Sequence, residues 1–228
     1  TILFLLGCST DANKQSSKFS DDIILETSVK YAEGFTINRF EGYKVVIINE
    51  VWKDAVNTYK YVLYENEKPL GITDVIFIKI PIKTIACMSL THVAFLESLG
   101  VENSIVGISG CNYVNSSTIN KEITNFNIKE IGQDQNINYE ILVENSPDIV
   151  MAYGINSSSN GAINKMKELS LQVVLNSEYM ETHPLGKAEW IKFVAAFYNL
   201  DGIADSIFNT VEKEYLTLLA LTDKIDIK

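Results

Sequence analysis

Along residues 23–80 the apolar positions come in short runs rich in aromatic and β-branched side chains. These are Phe35-Thr36-Ile37, residues 43–49 and residues 59–64, with Gly34, Gly42 and Asn57 between them. Runs of this length bounded by turn formers predict strands. Another apolar run at 75–80 stops at Pro81, and the whole segment reads as β-rich. From residue 82 the pattern alternates. Buried strands are predicted at 82–88, 104–108, 148–153 and 172–175. Helices are predicted at 91–99, with Ser89 or Leu90 near the cap and Gly100 at the end, and at 139–144 and 159–169. A polar loop separates the second strand from the helix at 139. Strands alternating with helices predict an α/β lobe over 81–184, a mostly parallel sheet flanked by helices. Two helices close the sequence, at 185–200 and 203–221, with a break at Asp201-Gly202; Trp190, Ile191, Val194 and Phe197 give the first a broad apolar face. Residues 185–228 read as a helical linker. So long a last helix, without an obvious cap, predicts that the protein continues toward a second lobe.

The N-terminus follows a different rule. Thr1-Ile2-Leu3-Phe4-Leu5-Leu6 is nearly all apolar and leads through Gly7 to Cys8. Leu5-Leu6-Gly7-Cys8 resembles the bacterial lipobox, in which the cysteine is acylated and becomes the new N-terminus. With no Met start and no basic stretch ahead of it, residues 1–8 read as the remnant of a lipoprotein signal. Residues 9–22 are rich in Ser, Asp, Lys and Asn and read as a flexible tether. The plainer alternative is a buried N-terminal strand that ends in a cysteine. An acyl group on Cys8 would hold the protein at the periplasmic face of a membrane without spanning it.

Composition narrows the function. The net charge is −10, and 19 basic residues spread thinly along 228 make no groove for nucleic acid. Only His92 and His183 are present, and Cys8, Cys87 and Cys111 fit no zinc spacing, so neither a bound metal nor a cofactor is expected. No apolar run reaches the roughly 18–20 residues of a spanning helix.

In open parallel sheets, ligands sit beyond the carboxyl ends of the strands. Those ends fall at Met88-Ser89, residues 109–113, Tyr153-Gly154 and residues 176–180, and the candidate ligand contacts there are Ser89, Thr91, Asn112, Tyr113, Tyr153 and Met180. With eleven tyrosines in the chain, ordinary surface packing is the competing reading for Tyr113 and Tyr153. Glu181 reads as a cleft-rim or docking acid, or as a solvated loop residue. His92 reads as a capping or packing residue. His183, just before Pro184, suits the cap of the next helix. Cys87 and Cys111, near the ends of sequential strands, could pair or remain buried thiols. Trp52 and Trp190 read as core. Gly107-Ile108-Ser109-Gly110 approaches a hydrolase nucleophile elbow, but Cys111 stands where the last glycine belongs.

The order of motifs resembles a known family. Residues 85–108, from Ile85-Ala86-Cys87-Met88-Ser89 through Leu99-Gly100 to Ile105-Val106-Gly107-Ile108, are similar to the opening of the first lobe in periplasmic binding proteins for iron-siderophores, haem and vitamin B12. So is Ser146-Pro147-Asp148-Ile149-Val150. Residues 180–197 look like the entry to the helix that joins the two lobes. The resemblance covers roughly residues 80–222. It implies two lobes with a metal chelate or corrinoid between them, delivery to an ABC permease and no catalytic residues. It also implies that aromatic residues at the places of Tyr113 and Tyr153 line the cleft, where flat faces suit a corrin, a porphyrin or a catechol. Where the vitamin B12 binders carry a permease-docking glutamate, this sequence has His92, so docking would pass to Glu97 or Glu102. The alternative function is an interaction or scaffold lipoprotein that keeps the fold without a ligand.

Overall fold

The computed structural model describes residues 25–26, 29–49, 58–133, 136–154 and 159–222. Cys8, the tether at 9–22 and Trp52 lie outside the described residues.

The β-rich segment forms one five-stranded sheet. Its strands are β1 (Leu25–Glu26), β2 (Phe35–Phe40), β3 (Tyr43–Ile48), β4 (Tyr59–Tyr64) and β5 (Ile76–Lys79), in chain order across the sheet. The first four pair antiparallel, and β5 runs parallel to β4. The tight turn between β2 and β3 places Gly42 at φ +81°, a conformation that favours glycine. Alternation separates the two faces. Phe35, Ile37, Val46, Ile48, Tyr61 and Leu63 join the main core, while Phe40, Val45 and Val62 form a small cluster on the other side.

The second sheet contains β6 (Ile85–Cys87), β7 (Ile105–Ile108), β8 (Lys129–Glu130), β9 (Ile149–Ala152) and β10 (Val173–Leu175), ordered β10-β9-β6-β7-β8 and parallel throughout. It is flanked by α1 (Leu90–Ser98), α2 (Ser117–Thr124), α3 (Tyr139–Asn145) and α4 (Ser159–Glu168). Every residue of β6, β9 and β10 is buried, as strands covered on both faces require. The region read as a polar loop holds α2 and β8. The helix shows its period only through Ile119, buried, and Ile123, half-buried one turn on, in an otherwise polar run, and the strand is two residues long.

Helix α5 (Pro184–Ala196) lies between the two sheets and is buried nearly all round. Phe35 meets Trp190 at 4.7 Å and Phe193 at 5.7 Å between ring centroids, and Tyr61 meets Phe197 at 6.4 Å. On the lobe side, Ile82 N–H donates to Phe197 O (3.0 Å), and Tyr198 shares a 2.8 Å hydroxyl bond with Ser104. The first sheet therefore packs on the lobe through α5 and does not extend the lobe's own sheet. Leu175 N–H, at the end of β10, donates to Tyr61 Oη at 2.9 Å, which ties the two sheets directly. The break after α5 comes at Asn199, whose φ of +57° stops the helix. Asp201 instead opens α6 (Asp201–Thr222). Its carboxylate is held there by Arg39 (2.6 Å) and Lys44 (2.7 Å) from the first sheet. The inward stripe of α6 begins with the buried Ala204 and Phe208 and runs on to Val211, Leu218 and Leu219, which are exposed.

Candidate functional site

The strand order reverses at β6: β7 and β8 lie on one side, β9 and β10 on the other. The crevice between β6 and β9 is the switch point at which such sheets bind ligands. Met88 N–H donates to Met151 O across it, at 3.0 Å. Past β6, Ser89 caps α1; its Oγ accepts from Thr91 N–H (3.3 Å) and lies 2.8 Å from Thr91 Oγ1.

The turn after β10 folds back over this crevice. Buried Asn176 donates its N–H to Ala152 O (2.8 Å) and accepts Glu178 N–H on Oδ1 (3.0 Å). Tyr179 Oη donates to Gly154 O. Glu178 is then brought to the start of α1, where its Oε1 accepts the Thr91 hydroxyl at 2.6 Å. The carboxylate is 7% exposed, and its Oε2 is buried without a hydrogen-bond partner. Glu178 falls in the stretch predicted as a strand end, and a polar residue three positions past a buried strand is its only sequence signal.

A second loop presents aromatic surface. After β7, Gly110 turns at φ +87°, and a Cβ there would meet Gln133 Nε2 at 2.5 Å. The N–H groups of Gly110, Cys111 and Gly132 all donate to the Glu130 carboxylate at 2.7–3.1 Å, which locks the ends of β7 and β8 together. Asn112 and Tyr113 project from this knot into solvent, with Tyr113 69% exposed. Tyr153 is half-buried at the end of β9. Half-buried Met180 lines a cleft of about 250 Å³ with Thr182, Glu33 and Asn49, so the first sheet reaches the rim of the same edge.

Other residues singled out in the sequence fall elsewhere. Glu97 is exposed on α1 and accepts the Ser116 hydroxyl at 2.6 Å, while Glu102 is half-buried in the turn that enters β7 from its amino end. His92 is fully buried and cannot meet a docking partner; neither ring nitrogen has a well-formed hydrogen bond, and burial pushes its pKa down to about 3, opposed by a weak interaction with the Met151 backbone. Glu181 lines the same cleft as Met180 but is not solvated: it is 8% exposed and accepts from the Trp190 indole (2.9 Å) and two backbone N–H groups. His183 caps α5, its Nδ1 accepting Leu185 N–H at 3.1 Å. Cys87 and Cys111 are buried free thiols; burial, then the Glu130 charge, pushes Cys111 up to about 12. Ser109 is buried. Among the described residues, no three His, Cys, Asp or Glu side chains converge in a way that could hold a metal ion.

A parallel α/β lobe of this kind has counterparts among known proteins. The model for the family described as periplasmic binding protein matches residues 85–226. The chain belongs to the periplasmic binding protein family. Two uncharacterized lipoproteins of Methanocaldococcus jannaschii are similar to it. One is 31% identical over 64% of this chain and 36% of its own length; the other is 33% identical over 81% of this chain and 47% of its own length. The chain thus spans less than half of the relatives it matches. Among solved structures, the siderophore-binding protein BauB, bound to two molecules of acinetobactin and ferric iron, shares the fold with a TM-score of 0.52 at 15% identity, over 76% of this chain and 54% of that one. Periplasmic binding proteins share the α/β lobe described above, and α5 and α6 both fall inside the matched region.

Proposed function

We propose that this chain is the first lobe of a solute-binding protein that captures a metal chelate or corrinoid and delivers it to an ABC permease. An acyl group on Cys8 holds it at the membrane, and Glu97 and Glu102 are the acids offered for docking. The observation that carries the reading is the carboxyl edge of the parallel sheet. There, the Ser89–Thr91–Glu178 hydrogen-bond chain borders the switch-point crevice, and Tyr113 stands exposed past β7 on the same edge. An aromatic face beside convergent polar groups is what a large, flat or chelated ligand requires. Two further facts support it: the related M. jannaschii proteins are named lipoproteins, and BauB binds a ferric siderophore. A second lobe would close over this edge, with the exposed stripe of α6 beneath it.

The test is a titration of intrinsic fluorescence with cobalamin, haem and a panel of ferric siderophores. Saturable binding that weakens on Tyr113→Ala is expected. A folded protein that binds none of them would overturn the reading and leave a scaffold lipoprotein in its place. Retention of the protein in membranes, lost on Cys8→Ala, tests the anchor.

A further inference from the structure

The carboxyl edge has a one-sided charge. Its segments at 88–91, 109–113, 130–133, 153–154 and 176–183 contain no Lys or Arg but three carboxylates, Glu130, Glu178 and Glu181. The nearest cations in sequence point to other duties. Lys129 lies over the Phe126 ring at 5.6 Å, and Lys187 stands in the first turn of α5. Two of the three carboxylates are spent internally. Glu130 takes three backbone amides, and Glu181 takes two amides and the Trp190 indole. Glu178 differs: its Oε1 holds Thr91, and its Oε2 is buried and unpartnered at the mouth of the crevice.

A buried carboxylate oxygen without a donor is a costly state that a donor group relieves. An anion brought to the same place meets like charge in a partly desolvated site, and the edge segments named above hold no cation to offset it. Resting on the reading of this edge as ligand-facing, we infer that this lobe selects chelates or corrinoids of neutral or positive charge that present N–H or O–H donors, and disfavours polyanionic chelates. Glu178 is the specificity-determining residue: its free oxygen accepts the ligand's donor, and Tyr113 and Asn112 stand exposed past β7 on the same edge.

Two gallium(III) complexes separate the alternatives, since gallium is diamagnetic and leaves the spectra readable. One is a trihydroxamate with a pendant ammonium group, net charge +1; the other is a tricatecholate, net charge −3. The full chain is titrated with each, following the backbone amide signals of Ser89, Thr91, Asn112, Tyr113 and Tyr153. Saturable shifts are expected with the cationic complex, together with at least tenfold weaker binding of the tricatecholate. Glu178→Gln keeps the shape and removes the charge, and it should reduce the preference by tenfold or more while the remaining spectrum stays native. Tighter binding of the tricatecholate, or an unchanged preference in natively folded Glu178→Gln, overturns the inference and leaves the family reading standing. Failure of both complexes to shift these signals overturns the assignment of the ligand-facing edge itself, and this inference with it.

Discussion

Glu181 and Glu189 divide five consecutive backbone amides between them. Glu189, fully buried in α5, accepts from the N–H groups of Lys30, Tyr31 and Ala32 at 2.7–3.0 Å, and Glu181 accepts from Glu33 and Gly34 at 3.0–3.2 Å. Lys192 Nζ adds an ion pair to Glu189 at 2.9 Å. A buried carboxylate is tolerated only when its lone pairs are met by donors, and here the strand-entry segment supplies them. In return the segment is fixed on α5, where the close approach of Gly34 to the Trp190 ring leaves no room for a Cβ.

Replacing Glu189 with Gln should therefore cost about 3 kcal/mol or more, because it removes the nearer of the two carboxylates on buried Lys192, leaving Asp205 at 3.5 Å, and turns an amide NH2 donor toward backbone N–H donors. Urea denaturation should show a lower midpoint with an unchanged slope. A loss below about 1 kcal/mol would mean that the segment is held by packing alone.

His92 makes stability depend on pH. Its folded pKa, about 3, lies below the ordinary value of 6.5, so between the two the unfolded chain binds the extra proton. Stability is complete above pH 6.5 and falls as the pH drops toward 3, by roughly 1.4 kcal/mol per pH unit. His92→Leu removes this slope and also removes a buried N–H without a well-formed hydrogen bond, worth about 1–3 kcal/mol. Unfolding free energies at pH 4.5 and 7 should show the variant more stable at both, with the larger gain at pH 4.5. An equal gain at the two values would show that the imidazole is not buried neutral.

Phe35 is the first sheet's main contact with α5. Truncation to Ala removes its packing on Trp190 and Phe193 and should cost about 3–5 kcal/mol. Tyr61→Phe is the finer test: it keeps the ring but strips Leu175 N–H of its acceptor, at about 1–3 kcal/mol. If Tyr61→Phe is neutral, the tie between the sheets is not a hydrogen bond.

Cys87 and Cys111 should be silent toward a thiol reagent. Both are buried, and burial raises both thiols, so almost no thiolate exists near neutral pH. In a Cys8→Ser background, reaction is expected only after denaturant is added. Prompt labelling of the native protein would place one of them at an opened edge.

Much of this architecture is written in residue types. The β-branched runs mark β2 to β4, the apolar tetrads mark β7 and β9, and His183-Pro184 marks the start of α5. The less legible parts share a physical cause. Helix α2 shows its period through only two apolar residues, Ile119 and Ile123, in a polar run, and strand β8 is two residues long. Glu130, Glu181 and Glu189 bind backbone amides, and an amide carries no side-chain signature by which its partner could be foreseen. For the same reason Glu181 reads from sequence as a solvent-facing acid. The carboxyl edge was legible because strand ends can be counted; Glu178 was not, because its role depends on a turn that carries it back across β9 to Thr91.

The way residues 30–34 are fastened has a mechanical meaning. Lys30 and Tyr31 also reach Glu212 on α6, and Tyr31 stacks on His183 at 5.4 Å. A pull arriving from the N-terminal side at Lys30 is met by a row of bonds to two helices at once, loaded together and not opened one by one. Tension that passes the β1–β2 pairing is thereby delivered to α5 and α6 as a pair before it runs along the chain into Phe35.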